Sequence, residues 1–111
     1  MKKAYRIKKN IEIETIIRQK NNVGNNYFVI YQSPSLSNLH FRFAVSVPKK
    51  YGNAVKRNLM KRRVREIVRQ TEFISQCDFL VIVKTKAKEL DFSYIKDNLI
   101  KLFARAKIIK G

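Results

Sequence analysis

The clearest pattern in the chain is an alternation of apolar with small or polar residues from His40 to Val47. The apolar positions of this stretch are Phe41, Phe43, Val45 and Val47. Because successive side chains of a strand point to opposite faces, the alternation predicts a strand over 40–47 with one face in the core. The other face is small and polar, so it is either solvated or a binding surface.

Two further stretches have the composition of strands. Tyr27–Gln32 is rich in aromatic and β-branched residues, with Val29 and Tyr31 on one face and Phe28 on the other. Asp78–Lys84 contains the run FLVIV, which is apolar on both faces. A strand of that kind is typical of the interior of a sheet, where both faces are covered.

The stretch after Asn10 has apolar residues at helical spacing. The letters IEIETII, from Ile11 onward, alternate well enough for a strand, but Ile13, Ile16 and Ile17 also share one helical face. We favour a helix from Ile11 to about Lys20, with Asn10 as its cap.

Two longer helices are predicted further along the chain. Asn53 caps the first, which starts at Ala54 and continues without Gly or Pro to Gln70. Its core stripe comprises Met60, Val64, Ile67 and Val68. Asp91 caps the last helix, from Phe92 to about Ala106, whose stripe comprises Ile95, Leu99, Leu102, Phe103 and Ala106.

The connections suggest how these elements pair. Residues 21–26 have the composition of a polar turn, and 33–38 that of a loop. The short loop between strands 27–32 and 40–47 suggests an antiparallel hairpin. Strand, helix and strand across 40–84 allow a parallel pair with a helical crossover.

Composition narrows the class of partner. The chain has 111 residues, a size typical of one domain, and 45% of them are hydrophobic, enough for a real core. Its formal net charge is +17, which implies a polyanion: nucleic acid or an anionic membrane surface. No apolar stretch is long enough to span a membrane, and the basic first nine residues, expected to be flexible, are followed by no signal core. A single cysteine, Cys77, fits a cytoplasmic protein.

The helix over 54–70 concentrates basic residues on one arc. At about 100° per residue, one arc roughly 140° wide borders the core stripe. It holds Arg57, Asn58, Lys61, Arg62, Arg65 and Arg69. Guanidinium groups bind phosphate oxygens bidentately, and Glu66 is the only acid on the helix. The pattern therefore predicts a nucleic-acid surface rather than an ordinary solvated face.

A long ordered motif runs through the same stretch. It reads Lys50-x-Gly52-Asn53-Ala54-Val55-x-Arg57-Asn58-x-x-Lys61-Arg62-x-x-Arg65, and it closely resembles the Arg-Asn-Arg motif of the bacterial ribonuclease P protein subunit. Leu59 stands where that family has its second motif arginine. Leu59 lies about 60° outside the basic arc, so we expect its loss to weaken only a peripheral contact.

The resemblance implies a fold, a partner and a division of labour. The implied fold is a single α+β domain over 1–111, ordered α-β-β-β-α-β-α, with a four-stranded mixed sheet and a left-handed β-α-β crossover. The general rule for crossovers would have favoured a right-handed one. The implied function is that of the ribonuclease P protein subunit, which binds the catalytic RNA and the 5′ leader of precursor tRNA. The Mg²⁺ that the holoenzyme requires is then carried by the RNA.

Two sets of binding residues follow from the resemblance and the spacing. The RNA-binding set comprises Lys50, Asn53, Lys56, Arg57, Asn58, Lys61, Arg62, Arg65 and Arg69, the last by spacing alone. The leader-binding set comprises Ile13, Ile17, Val29, Tyr31 and Ser46. The family often has phenylalanines at the positions of Ile13 and Ile17, which stack better on bases, and both isoleucines could equally be core residues.

No catalytic or metal-binding pattern is present in the sequence. His40 is the only histidine, and the eight acids are scattered. No phosphate-binding glycine motif occurs, so we expect no cofactor, small-molecule substrate or metal bound by the protein itself. The competing hypotheses are a small ribosomal protein, which would share this charge and size, and a membrane-surface helix, which the predicted strands make less favourable by offering its apolar stripe a core.

Overall fold

The computed structural model describes residues 5–34, 40–74 and 76–110, and within them the order of elements is α-β-β-β-α-β-α. The elements are α1 Asn10–Arg18, β1 Asn22–Gly24, β2 Phe28–Pro34, β3 Arg42–Ser46, α2 Ala54–Gln70, β4 Cys77–Val83 and α3 Phe92–Arg105. Short 3-10 turns occupy Lys49–Tyr51 and Thr85–Glu89. The predicted α+β class and element order are confirmed. Ser33 and Pro34 of the predicted loop belong to β2, and 35–38 lie outside the described residues.

The four strands form one mixed sheet in the order β1-β2-β4-β3. β2 pairs antiparallel with both β1 and β4, whereas β3 pairs parallel with β4. The predicted crossover from β3 through α2 to β4 is therefore confirmed as a parallel connection, and its left-handedness stays a prediction. β4 lies inside the sheet, as its two apolar faces predicted.

Two predictions about the strands were wrong. β2 and β3 do not form a hairpin, because β4 lies between them and takes one edge of each. Residues 22–24 are a strand rather than part of a polar turn, since they pair with β2 from Tyr31 to Val29. A row of asparagines around one Val and one Gly carries no local strand signal.

The larger core fills the space between one sheet face and two helices. Phe28, Ile30, Phe43, Phe79, Val81 and Val83 supply the sheet side. Every residue predicted for the stripes of α2 and α3 packs against them and is at most 4% exposed. Both helices therefore lie on the same side of the sheet, with their polar faces outward.

The opposite sheet face carries a smaller core beneath α1. Ile16 of α1 packs there against Leu80 of β4 and against Ile7, which precedes the helix. The helical interpretation of IEIETII is confirmed, although Lys9 rather than Asn10 occupies the N-cap position and makes no side-chain cap bond. Asn10 is instead the first helical residue.

The segment before α1 packs against the sheet at residues 5–7, and the flexibility of the basic N-terminus stays a prediction. Arg6 bridges Phe43 in a parallel sense, and the Ile7 amide donates to the Phe43 carbonyl at 2.8 Å. Tyr5 stacks on His40 with ring centroids 4.0 Å apart. This segment therefore lines the outer edge of β3, between the face that carries α1 and the face that carries α2.

Candidate nucleic-acid interface

The N-terminus of α2 is fixed by the cap that the sequence predicted. The Asn53 side chain accepts a hydrogen bond from the Lys56 amide at 2.9 Å. The four core residues of the helix stripe are at most 1% exposed, so the rotation of α2 about its axis is set by packing. The side chains on either flank of that stripe therefore have defined positions on the surface.

The basic face of α2 comprises Arg57, Asn58, Lys61, Arg62, Arg65 and Arg69. Arg57, Lys61 and Arg65 border the core and are half-buried, whereas Asn58 and Arg62 are exposed. The Arg57 Nε atom is buried without a hydrogen-bond partner among the described residues. A buried donor of that kind is costly unless a ligand or water pairs with it.

Arg69 differs from the rest of the basic face, because it is already paired. Its Nε donates to a Glu66 carboxylate oxygen at 2.9 Å, and Gln70 donates to the same carboxylate. The Arg69 hydrogen bond is the main reason that the pKa of Glu66 falls to about 2. A phosphate would have to compete with Glu66 for Arg69, so this side chain is a weaker candidate than Arg65.

Three members of the predicted RNA-binding set lie off the basic face. Lys50 is exposed on the 3-10 turn before α2, and the Asn53 side chain is occupied by the helix cap. Lys56 lies on the opposite flank of the core stripe, where it lines a depression with Leu59 and Arg63. Helix α2 thus has cations on both flanks of its core stripe, whereas the basic arc predicted from the sequence covers one flank only.

A basic depression at the outer edge of β3 adds residues that the sequence analysis did not select. Arg6, Lys8 and Arg65 line it with apolar walls from Ile13, Ala44 and neighbours, and its volume is about 250 Å³. The Arg6 Nε is buried without a partner among the described residues. Burial, and secondarily the charge of Arg6, lower the pKa of Arg65. In the sequence, the apolar Ile7 between the basic residues Arg6 and Lys8 is the feature that indicates this site.

The sheet face beside α1 has an ordered array of side chains. The strand register aligns Val29, Ile82 and Ser46 in one row, and Tyr31, Leu80 and Ala44 in the next. We call the five of these residues other than the buried Leu80 the open sheet face. Val29 and Tyr31 are half-buried and Ser46 is exposed. The predicted leader-binding residues of β2 and β3 therefore do lie on one face.

The two predicted isoleucines of α1 have different surroundings. Ile13 packs against the smaller core and also lines the edge depression, whereas Ile17 is 38% exposed. Ile16, which was not selected, is the buried residue of α1 at 2% exposure. Ile13 is thus partly a core residue, and Ile17 borders the surface.

An ion cluster holds α1 over the end of this face. Arg42 of β3 contacts Glu12 of α1 at 2.7 Å and Asp78 of β4 at 2.8 Å. The hydrogen bond from Arg42 to Asp78 is the main reason that the pKa of Arg42 is raised. The open sheet face is consequently bounded by α1 at one end and continues toward the Val29–Ile82–Ser46 row at the other.

Other chemically active side chains are dispersed. Across 5–34, 40–74 and 76–110, no three His, Cys, Asp or Glu side chains come close enough together to hold a metal ion. Cys77 is 2% exposed, and burial raises the pKa of its thiol to about 12. No helix in that part of the chain is long and apolar enough to cross a membrane.

Comparison with known proteins gives a consistent result. The family model described as Ribonuclease P matches residues 1–107. The ribonuclease P protein component of Acholeplasma laidlawii is 41% identical over 112 residues, covering 99% of this chain and 96% of that protein. The ribonuclease P protein component of Macrococcus caseolyticus is 42% identical over 112 residues, covering 100% and 95%.

Solved structures agree with the sequence relatives. The Staphylococcus aureus RNase P protein superposes with a TM-score of 0.89 at 37% identity, covering 97% of this chain and 100% of that one. The RNase P protein from Thermotoga maritima gives a TM-score of 0.81 at 28% identity, covering 96% and 98%.

Proposed function

Because this chain belongs to the ribonuclease P protein family, we propose that it binds the RNA subunit of ribonuclease P through α2 and assists removal of the 5′ leader from precursor tRNA. The membership itself implies a ribonuclease P complex. It also favours this function over that of a small ribosomal protein, which composition and charge alone left open.

The observation that carries the proposal is the state of the arginines on the basic face. Arg57 and Arg65 are half-buried by the core that orients them, and no described acid forms an ion pair with either. For Arg65, burial disfavours the charged form and lowers the pKa of its guanidinium group. Phosphate oxygens supply hydrogen-bond acceptors and a negative charge to pair with these guanidinium groups.

The second contact in this proposal is the leader of precursor tRNA on the open sheet face. Tyr31 offers an aromatic ring and Val29 and Ile82 offer apolar surface, which suits unpaired bases without sequence preference. The edge depression, with Arg6, Lys8 and Arg65, lies where this face reaches α2. A single strand leaving the open sheet face at that edge therefore meets cations before it reaches the basic face.

The catalytic step in this proposal belongs to the RNA subunit, together with its Mg²⁺. The protein contributes positive charge between two RNAs whose phosphates repel each other. At physiological ionic strength the screening length is about 8 Å, so charges placed in contact with both RNAs act where bulk salt does not. We therefore expect the protein to lower the magnesium requirement and strengthen substrate binding more than it changes the chemical step.

The test is a single-turnover cleavage series with protein alone, RNA subunit alone and both together, across magnesium concentrations. We expect no cleavage by the protein alone, cleavage by the RNA only at high magnesium, and cleavage at near-physiological magnesium when both are present. Site-specific cleavage by protein freed of RNA would contradict the proposal. So would a magnesium requirement that the protein leaves unchanged.

A further inference from the structure

A groove with its own chemistry lies on the other flank of α2 and borders the basic face at Arg62. Two adjoining depressions share Leu59 and Arg63, and they run from the 3-10 turns to the start of α3. We call them together the opposite groove. The first is lined by Tyr51, Lys56, Leu59, Met60, Arg63 and Lys88, and the second by Leu59, Arg62, Arg63, Glu66 and Phe92.

The cations of the opposite groove are unpaired. Lys56, Arg63 and Lys88 form no ion pair with any described acid. Lys88 Nζ lies 5.7 Å from the ring centroid of Tyr51, so a cation is held over the aromatic floor. The one acid that lines the groove, Glu66, is already bound by Arg69 and Gln70 on the far side. The groove therefore keeps a net positive charge along its length.

Apolar side chains of the groove are exposed beside these cations. Leu59, which lines both depressions, is 43% exposed, and Phe92, which lines the second, is 37% exposed. The Phe92 ring and the Leu59 side chain line the groove together with its cations. This combination suits a nucleotide, because the faces of a base are planar and apolar and its phosphate is anionic. A second copy of this chain, at +17, would bring like charges together in the same place.

We propose that the opposite groove binds an unpaired segment of the ribonuclease P RNA subunit, with Lys56, Arg63 and Lys88 on its phosphates and Phe92 against a base. The inference rests on the proposed function and extends it. Helix α2 then lies between two RNA segments, one on each flank, and fixes their separation. The buried stripe of α2 leaves the helix no freedom to rotate, so the two contacts are made together.

The first experiment measures affinity for the isolated RNA subunit as a function of salt. The variant K56Q/R63Q/K88Q removes three groove cations and keeps a polar side chain at each position. The control K101Q/R105Q/K110Q removes two lysines and an arginine from exposed positions at or after the C-terminal half of α3. We expect the groove variant to bind at least tenfold more weakly than the control at 0.15 M salt, and its salt slope to be shallower by about one unit for each lost phosphate contact.

A comparator variant separates this inference from the proposed function. R57Q/K61Q/R65Q removes three cations of the basic face. If it weakens binding while the groove variant matches the control, the opposite groove is not an RNA surface and the proposed function stands. If none of the variants differs from the control, both proposals fail.

The second experiment asks which nucleotides the groove protects. In nuclease footprints of the RNA subunit, the groove variant should lose protection in one segment and the basic-face variant in another. F92A should lose the same protection as the groove variant, whereas Y94A, an exposed aromatic that does not line the groove, should retain it. Loss of one shared footprint by all variants would overturn the idea of two segments. Weakened self-association of the RNA-free F92A protein in sedimentation would instead identify a protein–protein surface.

Discussion

Tyr31 is the residue that gives the open sheet face its aromatic character. Its neighbours in the row across the sheet are Leu80 and Ala44, and a row of Val29, Ile82 and Ser46 follows. Tyr31 packs against the smaller core and is half-buried, so part of its side chain remains accessible. A base stacked on that ring gains apolar contact without any hydrogen bond that would select its identity.

Replacement of Tyr31 tests the leader contact. Tyr31→Ala should weaken binding of the holoenzyme to leader-bearing precursor tRNA by about 1–3 kcal/mol, the usual range for a lost base–aromatic stack. Affinity for mature tRNA should be nearly unchanged, because that substrate has no leader. Tyr31→Phe keeps the ring and serves as the control. Equal losses for both substrates would mean that Tyr31 supports the fold or a general RNA contact.

At the level of elements, α1 depends on few contacts for its place on the sheet. Ile16 is its buried anchor, and Arg42 ties Glu12 of the helix to Asp78 of β4. Asp78 is only 8% exposed, so its carboxylate depends on donors within the protein. The position of α1, and with it one wall of the open sheet face, is therefore coupled to a single guanidinium group.

Loss of that guanidinium group should be measurable in stability. Arg42→Met should lower the free energy of unfolding by about 1–3 kcal/mol, because it removes a charged partner from a buried carboxylate. Arg18→Met, at the exposed last turn of α1, removes the same charge without an ion pair and should cost less. Urea denaturation of both variants provides the comparison. Equal stabilities would show that the ion cluster contributes nothing beyond net charge.

Helices were more predictable from the sequence than strand pairing. The caps Asn53 and Asp91 and the stripes of α2 and α3 are local patterns, and each is present in the structure. The predicted β2–β3 hairpin was wrong because β4, which is apolar on both faces, takes the interior position between β2 and β3. β4 comes later in the chain, so the residues near β2 and β3 in sequence do not indicate this pairing. The packing of Arg6 and Ile7 against β3 depends on the same tertiary neighbours, and no local period signals it.

For the whole molecule, the dominant quantity is the imbalance of charge. Twenty-five basic residues face eight acids, and of those acids Glu12, Glu66 and Asp78 are held in ion pairs while Asp91 caps α3. Few carboxylates remain to offset the cations of the surface. Self-repulsion at this charge opposes the compact state and is reduced by screening.

Stability should accordingly rise with salt. Increasing sodium chloride from about 0.05 M to about 0.5 M, which shortens the screening length several-fold, should raise the free energy of unfolding of the RNA-free protein. The K101Q/R105Q/K110Q variant has three fewer positive charges and should respond less steeply. Chemical denaturation with urea, which is uncharged, measures both. A stability that falls or stays constant with salt would show that repulsion among these cations is negligible.

The central place of β4 has a consequence for the order in which the chain matures. During synthesis on the ribosome, β2 and β3 emerge long before Cys77–Val83, yet each needs β4 as a neighbour. Until that segment leaves the exit tunnel, β1–β2 is the one pair among the four strands that can form, and the core faces of β2, β3 and α2 are not yet covered. Assembly of the sheet is thus postponed until β4 has emerged, and by then the basic face of α2 has already emerged as unfolded, highly basic chain.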